Sequence, residues 1–265
     1  MNKKENEPVI WDSIWNNSNN LTVDIELLKS QIKITKQSKK WKIYTDIVTE
    51  KFGGWHNVVS IEIGAGMGWH SMVAETEGAK VFLLDYSEAA IELAKKRFRL
   101  LNISAEYISG NAFDIQKHRN VDFNLSWSFG TAEHFSEELR QDFFNLHFQY
   151  INLNGVAIIS CPYKYAINYR IWMYYAKKYN VWEFGLEIPF SKKEFLRKLD
   201  VSGNKLIKIL YDEGNPCLKK VIPILRKNSK IRYYTIGVLL KFFQKSNIKI
   251  PPFCYRSIIL IGTKN

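Results

Sequence analysis

Two carboxylates and three glycines carry most of the chemical information in this chain. In SIEIGAGMGWHSMVAETEGAKVFLLDYS, residues 60–87, the glycines Gly64, Gly66 and Gly68 follow an apolar run containing Glu62, and Asp85 closes the next apolar run. Glycines at alternate positions let a chain turn tightly out of a strand and let a ligand approach bare backbone. A dinucleotide-binding turn is spaced GxGxxG and seats pyrophosphate on a helix N-terminus. Here the third-glycine position is Trp69, too bulky for close contact between strand and helix. Glu62, two residues before the turn, would also repel a diphosphate and attract an ammonium. Asp85 lies 21 residues beyond Gly64, where a carboxylate accepts hydrogen bonds from ribose hydroxyls. An adenosine with an amino-bearing tail and no pyrophosphate meets both requirements.

The elements that must position these groups follow from the hydrophobic pattern. From residue 57 onward, short apolar runs alternate with longer amphipathic segments, as in α/β proteins with a parallel sheet. Strands are expected at 58–63, 81–84, 105–108, 121–128 and 155–160, and two more at 205–210 and 257–261. Helices are expected at 67–77, closed by Gly78, and at 88–101, capped by Ser87, with another at 137–150. FSKKEF at 190–195 reads as a helix start, with Ser191 and Glu194 as a capping box and Phe190 and Phe195 as a hydrophobic staple. Residues 1–56 read as an N-terminal helical extension or lid. Residues 57–265 read as the main domain, with a basic, apolar insertion at about 213–256.

SIEIGAGMG followed by VFLLDYS resembles the first two motifs of the class I S-adenosylmethionine-dependent methyltransferases. The resemblance extends over most of 57–212 and the last strand. It implies a doubly wound, Rossmann-like, mostly parallel seven-stranded sheet with an antiparallel last strand, and S-adenosyl-L-methionine as cofactor. It also implies that Glu62, Gly64, Ala65, Gly66 and Gly68 border the methionyl part, that Asp85 takes the ribose, and that Tyr86 flanks the adenine. ISGNAFD at 108–114 resembles the segment after strand three, where a family acid reads the adenine amino group. Asn111 holds that place, with Ala112 beside it, and an amide carbonyl still accepts from an amine. VDFNLSWSFGTAEHF at 121–135 resembles the strand-four motif, which puts Ser128, Phe129 and Gly130 at the donor end and His134 nearby.

Methyl transfer from a sulfonium already has a good leaving group, so orientation and exclusion of water supply most of the catalysis. A hydroxyl acceptor benefits from a general base, and His134 is the catalytic candidate because an unperturbed imidazole titrates near neutrality. The five histidines show no ligand-like spacing, so no metal is expected. Tyr163, Tyr169, Trp172 and Tyr175, after strand five, read either as an acceptor wall or as a helix packed by its aromatic face. Trp11 to Trp15, WDSIW, reads either as a lid or as an anchor for the extension.

Charge is unevenly divided. Residues 1–213 hold 27 Lys and Arg against 26 Asp and Glu, whereas 214–265 hold 11 basic residues and no acid, so nearly all of the net charge of +12 sits at the C-terminal end. Residues 219–245 alternate basic and apolar groups, but the longest apolar run, 233–243, is shorter than the roughly 20 residues needed to span a bilayer. The segment therefore reads as a peripheral membrane contact, or as an insertion packed on the sheet or a second subunit. The charged opening MNKKENEPVI and three widely spaced cysteines point to a cytoplasmic protein without a disulfide framework, free or peripheral to the membrane. The expected activity is methylation of a small-molecule or lipid-linked acceptor at oxygen or nitrogen. The alternatives are a nucleic-acid methyltransferase and a non-catalytic protein that keeps the cofactor-binding fold.

Overall fold

The computed structural model of the protein describes residues 8–16, 24–114, 121–212, 216–228, 234 and 257–264. The proposed membrane segment 219–245 lies mostly outside the described residues. The chain opens with helices α1 (Pro8–Trp15), α2 (Ile25–Gln37) and α3 (Lys39–Phe52). Alternating strands and helices follow: β1 (Val59–Ile63), α4 (Trp69–Glu75), β2 (Lys80–Asp85), α5 (Glu88–Leu101) and β3 (Glu106–Ser109). Next come β4 (Phe123–Phe129), α6 (Leu139–Tyr150), β5 (Ile151–Pro162), α7 (Ile167–Lys178) and α8 (Lys192–Val201). The described chain ends with β6 (Lys205–Asp212), α9 (Pro216–Asn228) and β7 (Ser257–Thr263).

The seven strands form one sheet in the order β3-β2-β1-β4-β5-β7-β6. Neighbours from β3 to β5 are parallel, and β7 runs antiparallel to both β5 and β6. The order reverses at β1, and the carboxyl ends of β1 and β4 there flank the crevice that open α/β sheets use for ligands. β5 is longer than expected because residues 151–154 extend straight out of α6, and Phe123 pairs with Ile151 before a register shift.

Side-chain alternation along the strands divides the core. Leu83, Leu125, Trp127, Val156 and Ile158 face α3, α4 and α5, while Ile61, Ile63, Leu84, Ala157 and Ile159 face α6 and α8. Each is buried, and full burial of a Val, Leu or Ile side chain stabilises by about 1.5–3 kcal/mol. α3 fixes the first layer: Trp41 stacks on Trp55 at 5.1 Å, and both lie against Trp127. On the other face, His147 of α6 bridges Ser126 at 3.1 Å and Ser128 at 3.0 Å. Burial holds that imidazole well below its ordinary value, at about 3, so it is neutral.

Two local expectations change. The turn after α4 is capped at Thr76, and Gly78 follows it at φ +104° on the way into β2. Ser191 accepts from the Glu194 amide at 3.1 Å, but the Glu194 carboxylate does not complete the capping box. It pairs instead with Arg140 at 2.7 Å, because that buried guanidinium needs a counter-charge.

Candidate active site

A cavity of about 680 Å³ opens at the carboxyl ends of β1, β2 and β4. Gly64, which opens the glycine loop, lines it. The Gly64 amide donates to the Leu84 carbonyl at 2.8 Å, and Ala65 to the same oxygen at 3.2 Å, which pins the turn to the end of β2. Gly68 sits at φ +68° as the left-handed residue before α4, and a Cβ there would fall 2.2 Å from Leu83. Its smallness therefore serves packing under the loop.

Asp85 is the organising acid. It is 7% exposed and lines the cavity. One carboxylate oxygen accepts from the Gly66 amide at 2.8 Å and the other from Ser87 at 2.9 Å. Burial raises its pKa against those backbone donors, so the carboxylate is poised to gain from further donors. Each oxygen keeps acceptor capacity, as a carboxylate offers about four lone-pair sites. Tyr86, Asn111 and Ala112 line the same side. Asn111 Oδ1 accepts from the Phe113 amide at 3.0 Å, which orients the side chain and leaves the oxygen able to accept once more.

His134 stands on the opposite side, in a short 3-10 turn at Ala132–His134. Its Nδ1 lies 2.7 Å from the Leu186 carbonyl, so Nδ1 carries the proton and Nε2 the lone pair. Burial lowers its pKa to about 4, against the pull of carbonyls at Leu186, Gly130 and Phe184. The ring meets Trp11 edge-on at 4.7 Å. Trp11 and Trp15 of α1 form a wall of the cavity, and the Trp15 indole lies so close to Gly66 that a Cβ there would come within 2.7 Å of it. Asp12, between them, accepts from the Ser87 hydroxyl at 2.5 Å, tying α1 to the start of α5.

Of the residues expected to touch a cofactor, Gly64, Asp85, Tyr86, Asn111 and Ala112 line the cavity, with His134 across from them. The six others stand apart from its lining. Glu62 is buried on the far side of β1, where it accepts from the Ser71 amide at 3.0 Å and the Ser71 hydroxyl at 2.5 Å. It ties β1 to α4 from beneath, and burial raises its pKa to about 7 despite those bonds. His70 lies 3.9 Å away, but burial and Lys40 hold it neutral, so the two form no ion pair. Ala65 packs in the core and Gly68 under the loop, while Gly66 is covered by Trp15. Ser128 and Phe129 are corrections: Ser128 points down to His147, and Phe129 stacks on His70 at 3.4 Å. Both are strand residues committed to opposite faces of the sheet, so only the residues past the strand end, Gly130 and Thr131, reach the crevice. Tyr163, Tyr169, Trp172 and Tyr175 also stand apart from the lining.

Sequence reasoning missed Thr131, Phe135, Ser136, Glu137, Leu186 and Ile188. The first four follow β4 directly, and placing the end of that strand at Phe129 would have found them. Leu186 and Ile188 come from the connection before α8 and carry no local signal.

A family model described as a methyltransferase domain matches residues 61–155. No curated protein matches the sequence. Among solved structures, magnesium protoporphyrin IX methyltransferase from Synechocystis PCC 6803, with bound SAH, is 12% identical over 97% of this chain and 94% of that one, with a TM-score of 0.59. Geranyl diphosphate C-methyltransferase from Streptomyces coelicolor A3(2), in complex with Mg2+, geranyl diphosphate and S-adenosyl-L-homocysteine, is 16% identical over 97% and 98%, with a TM-score of 0.54. The [4+2]-cyclase SpnF is 13% identical over 83% and 79%, with a TM-score of 0.55. At these identities the likeness is one of fold. Residues 61–155 thus carry a methyltransferase domain, and the sheet order is that of the Rossmann-like fold of the class I S-adenosylmethionine-dependent methyltransferases.

The residues fit the family's cofactor. A buried carboxylate with spare acceptor capacity faces a cavity bordered by bare glycine backbone, which suits a nucleoside. S-adenosyl-L-methionine supplies the activated methyl group when bound. Asp85 would hold its ribose, Tyr86, Asn111 and Ala112 would surround its base, and Gly64 would leave room at its tail. Among the described residues, no group of three or more His, Cys, Asp or Glu is placed to hold a metal ion.

Proposed function

We propose that this protein transfers a methyl group from S-adenosyl-L-methionine to oxygen or nitrogen of a small, largely apolar acceptor. The observation that carries this is the buried Asp85 carboxylate, held by the Gly66 and Ser87 amides at the cavity wall. The fold alone does not fix the reaction, since a [4+2]-cyclase shares it. The acceptor end is read from Trp11, Phe135, Phe143, Leu186 and Ile188, an apolar enclosure with few polar groups. His134 is the polar group best placed there. Its Nδ1 bond to Leu186 fixes the ring and makes Nε2 the acceptor for a hydroxyl or amine proton.

The chain's own part in the reaction is then to orient and to exclude water. Trp11 and Trp15 close the cavity from above, and His134 aligns the nucleophile by accepting its hydrogen. A cytoplasmic location belongs to this proposal, supported by the odd, widely spaced cysteines. Release of S-adenosylhomocysteine, followed with a panel of apolar alcohols, phenols and amines, tests it. Turnover with at least one class is expected. Cofactor binding without turnover across the panel would favour a non-catalytic role instead.

A further inference from the structure

The second feature of this molecule is on its outside. Between Asp142 and Glu183 the sequence contains no acidic residue, and α7 lies within that stretch. Its buried side carries Tyr169, Tyr175 and Ala176. Leu225 of α9 packs against Tyr175, with Ile171, Trp172 and Tyr179 around them. The other side is open. Ile167 is 47% exposed, Tyr174 58% and Val181 45%, and Arg170, Lys177 and Lys178 are exposed between them. Positions 167, 170, 174, 177 and 181 are spaced three and four residues apart, so those on α7 share one stripe. Lys178 lies over Tyr174 at 5.8 Å, and α9 adds the exposed Arg226 and Lys227.

This surface connects to the cavity. Trp172 of α7 packs on Trp182 at 5.1 Å and on Phe184 at 6.0 Å, which carries the aromatic cluster into residues 182–188. Leu186 and Ile188 then appear twice, each lining the cavity and each 38% exposed at the surface. β6 ends at Asp212 and β7 begins at Ser257, paired beside Pro162 at the end of β5. The insertion between them, with ten basic residues and no acid from 214 to 256, thus leaves and rejoins the sheet at the end where the cavity opens.

We propose that the α7–α9 face docks on an anionic lipid bilayer and presents the cavity mouth at Leu186 and Ile188 to it. Basic side chains reach lipid phosphates while Ile167, Tyr174 and Val181 enter the interface, the division of labour of an interfacial helix. A nucleic acid would satisfy the charges but would bury few aliphatic side chains, so the mixed stripe favours lipid. Among the described residues no helix is long and apolar enough to cross a membrane, so the contact is peripheral. The delivery of an acceptor from the bilayer rests on the proposed methyl transfer; the docking does not.

Cosedimentation of the full chain with phosphatidylcholine vesicles, with and without phosphatidylglycerol, tests the face. Binding to the anionic vesicles alone, weakened by salt, is expected. The double variant Lys177→Glu, Lys178→Glu should lose at least about tenfold in partitioning, and Tyr174→Ser should bind more weakly at every salt concentration. Melting temperature and S-adenosylhomocysteine affinity, measured without lipid, should not change in either. No binding of the intact protein, equal binding to neutral vesicles, or wild-type binding by the charge-reversed variant would each overturn the proposal. So would salt-dependent RNA retardation lost in that variant without vesicle binding. A protein that binds vesicles but not S-adenosylhomocysteine would keep the docking and refute the methyltransferase reading.

Discussion

Asp85 and Glu62 are both buried acids beside one glycine loop, and their surroundings give them different work. Asp85 faces the cavity with three backbone amides around it, whereas Glu62 faces the Ser71 hydroxyl and amide beneath the loop. The folded pKa of Glu62, about 7, lies above its ordinary 4.5. A raised carboxyl contributes stability that is fully present below 4.5 and lost as pH rises through 7. Glu62→Gln should therefore melt with less dependence on pH between 5 and 8 than wild type, in thermal scans across that range. An identical pH profile would show that Glu62 ionises freely in the fold. His134 has the opposite shift, to about 4, so the neutral ring is present throughout the physiological range. If it accepts the nucleophile's proton, the acidic limb of kcat/KM should fall near pH 4 instead of 6.5, and His134→Asn should lower turnover of a hydroxyl acceptor about a hundredfold. Unchanged turnover would make it a wall residue only.

At the scale of elements, the strands were legible because their apolar runs alternate faces, and α5 runs over the 88–101 expected from its cap at Ser87. What alternation also implies, that Ser128 and Phe129 belong to opposite faces of β4, was outweighed by the family motif, and the structure restores it. The contact of Trp15 with Gly66 had no local signal, since it joins elements far apart in sequence. The glycine turn shows the reverse: its sequence was obvious, but its reasons differ by position. Gly68 is required by its left-handed φ and by Leu83 beneath it, without touching the cavity. Gly68→Ala should thus destabilise by about 2 kcal/mol, read as a lower urea midpoint. A stability equal to wild type would mean that Leu83 yields at no cost.

For the whole molecule, composition located the charge but not its geometry. The acid-free C-terminal fifth emerges where the parallel strands end, next to an α7 whose own exposed side is basic and apolar. Reaction centre and proposed docking face therefore share one end of the sheet, and the opposite end is left for connections. The seven-stranded, mostly parallel sheet and the antiparallel β7 follow from the strand count and the family resemblance. The acceptor wall does not, because Leu186 and Ile188 enter from an irregular connection whose path only packing around Trp182 and Phe184 defines. The methyl-transfer reading depends on a nucleoside seated at Asp85. Calorimetric titration with S-adenosylhomocysteine tests that most directly: the wild-type chain should bind one equivalent, and Asp85→Ala should bind more than about tenfold more weakly, a loss of about 1.4 kcal/mol. Equal affinity in the variant, or a wild-type site that takes NAD and ignores S-adenosylhomocysteine, would contradict the account.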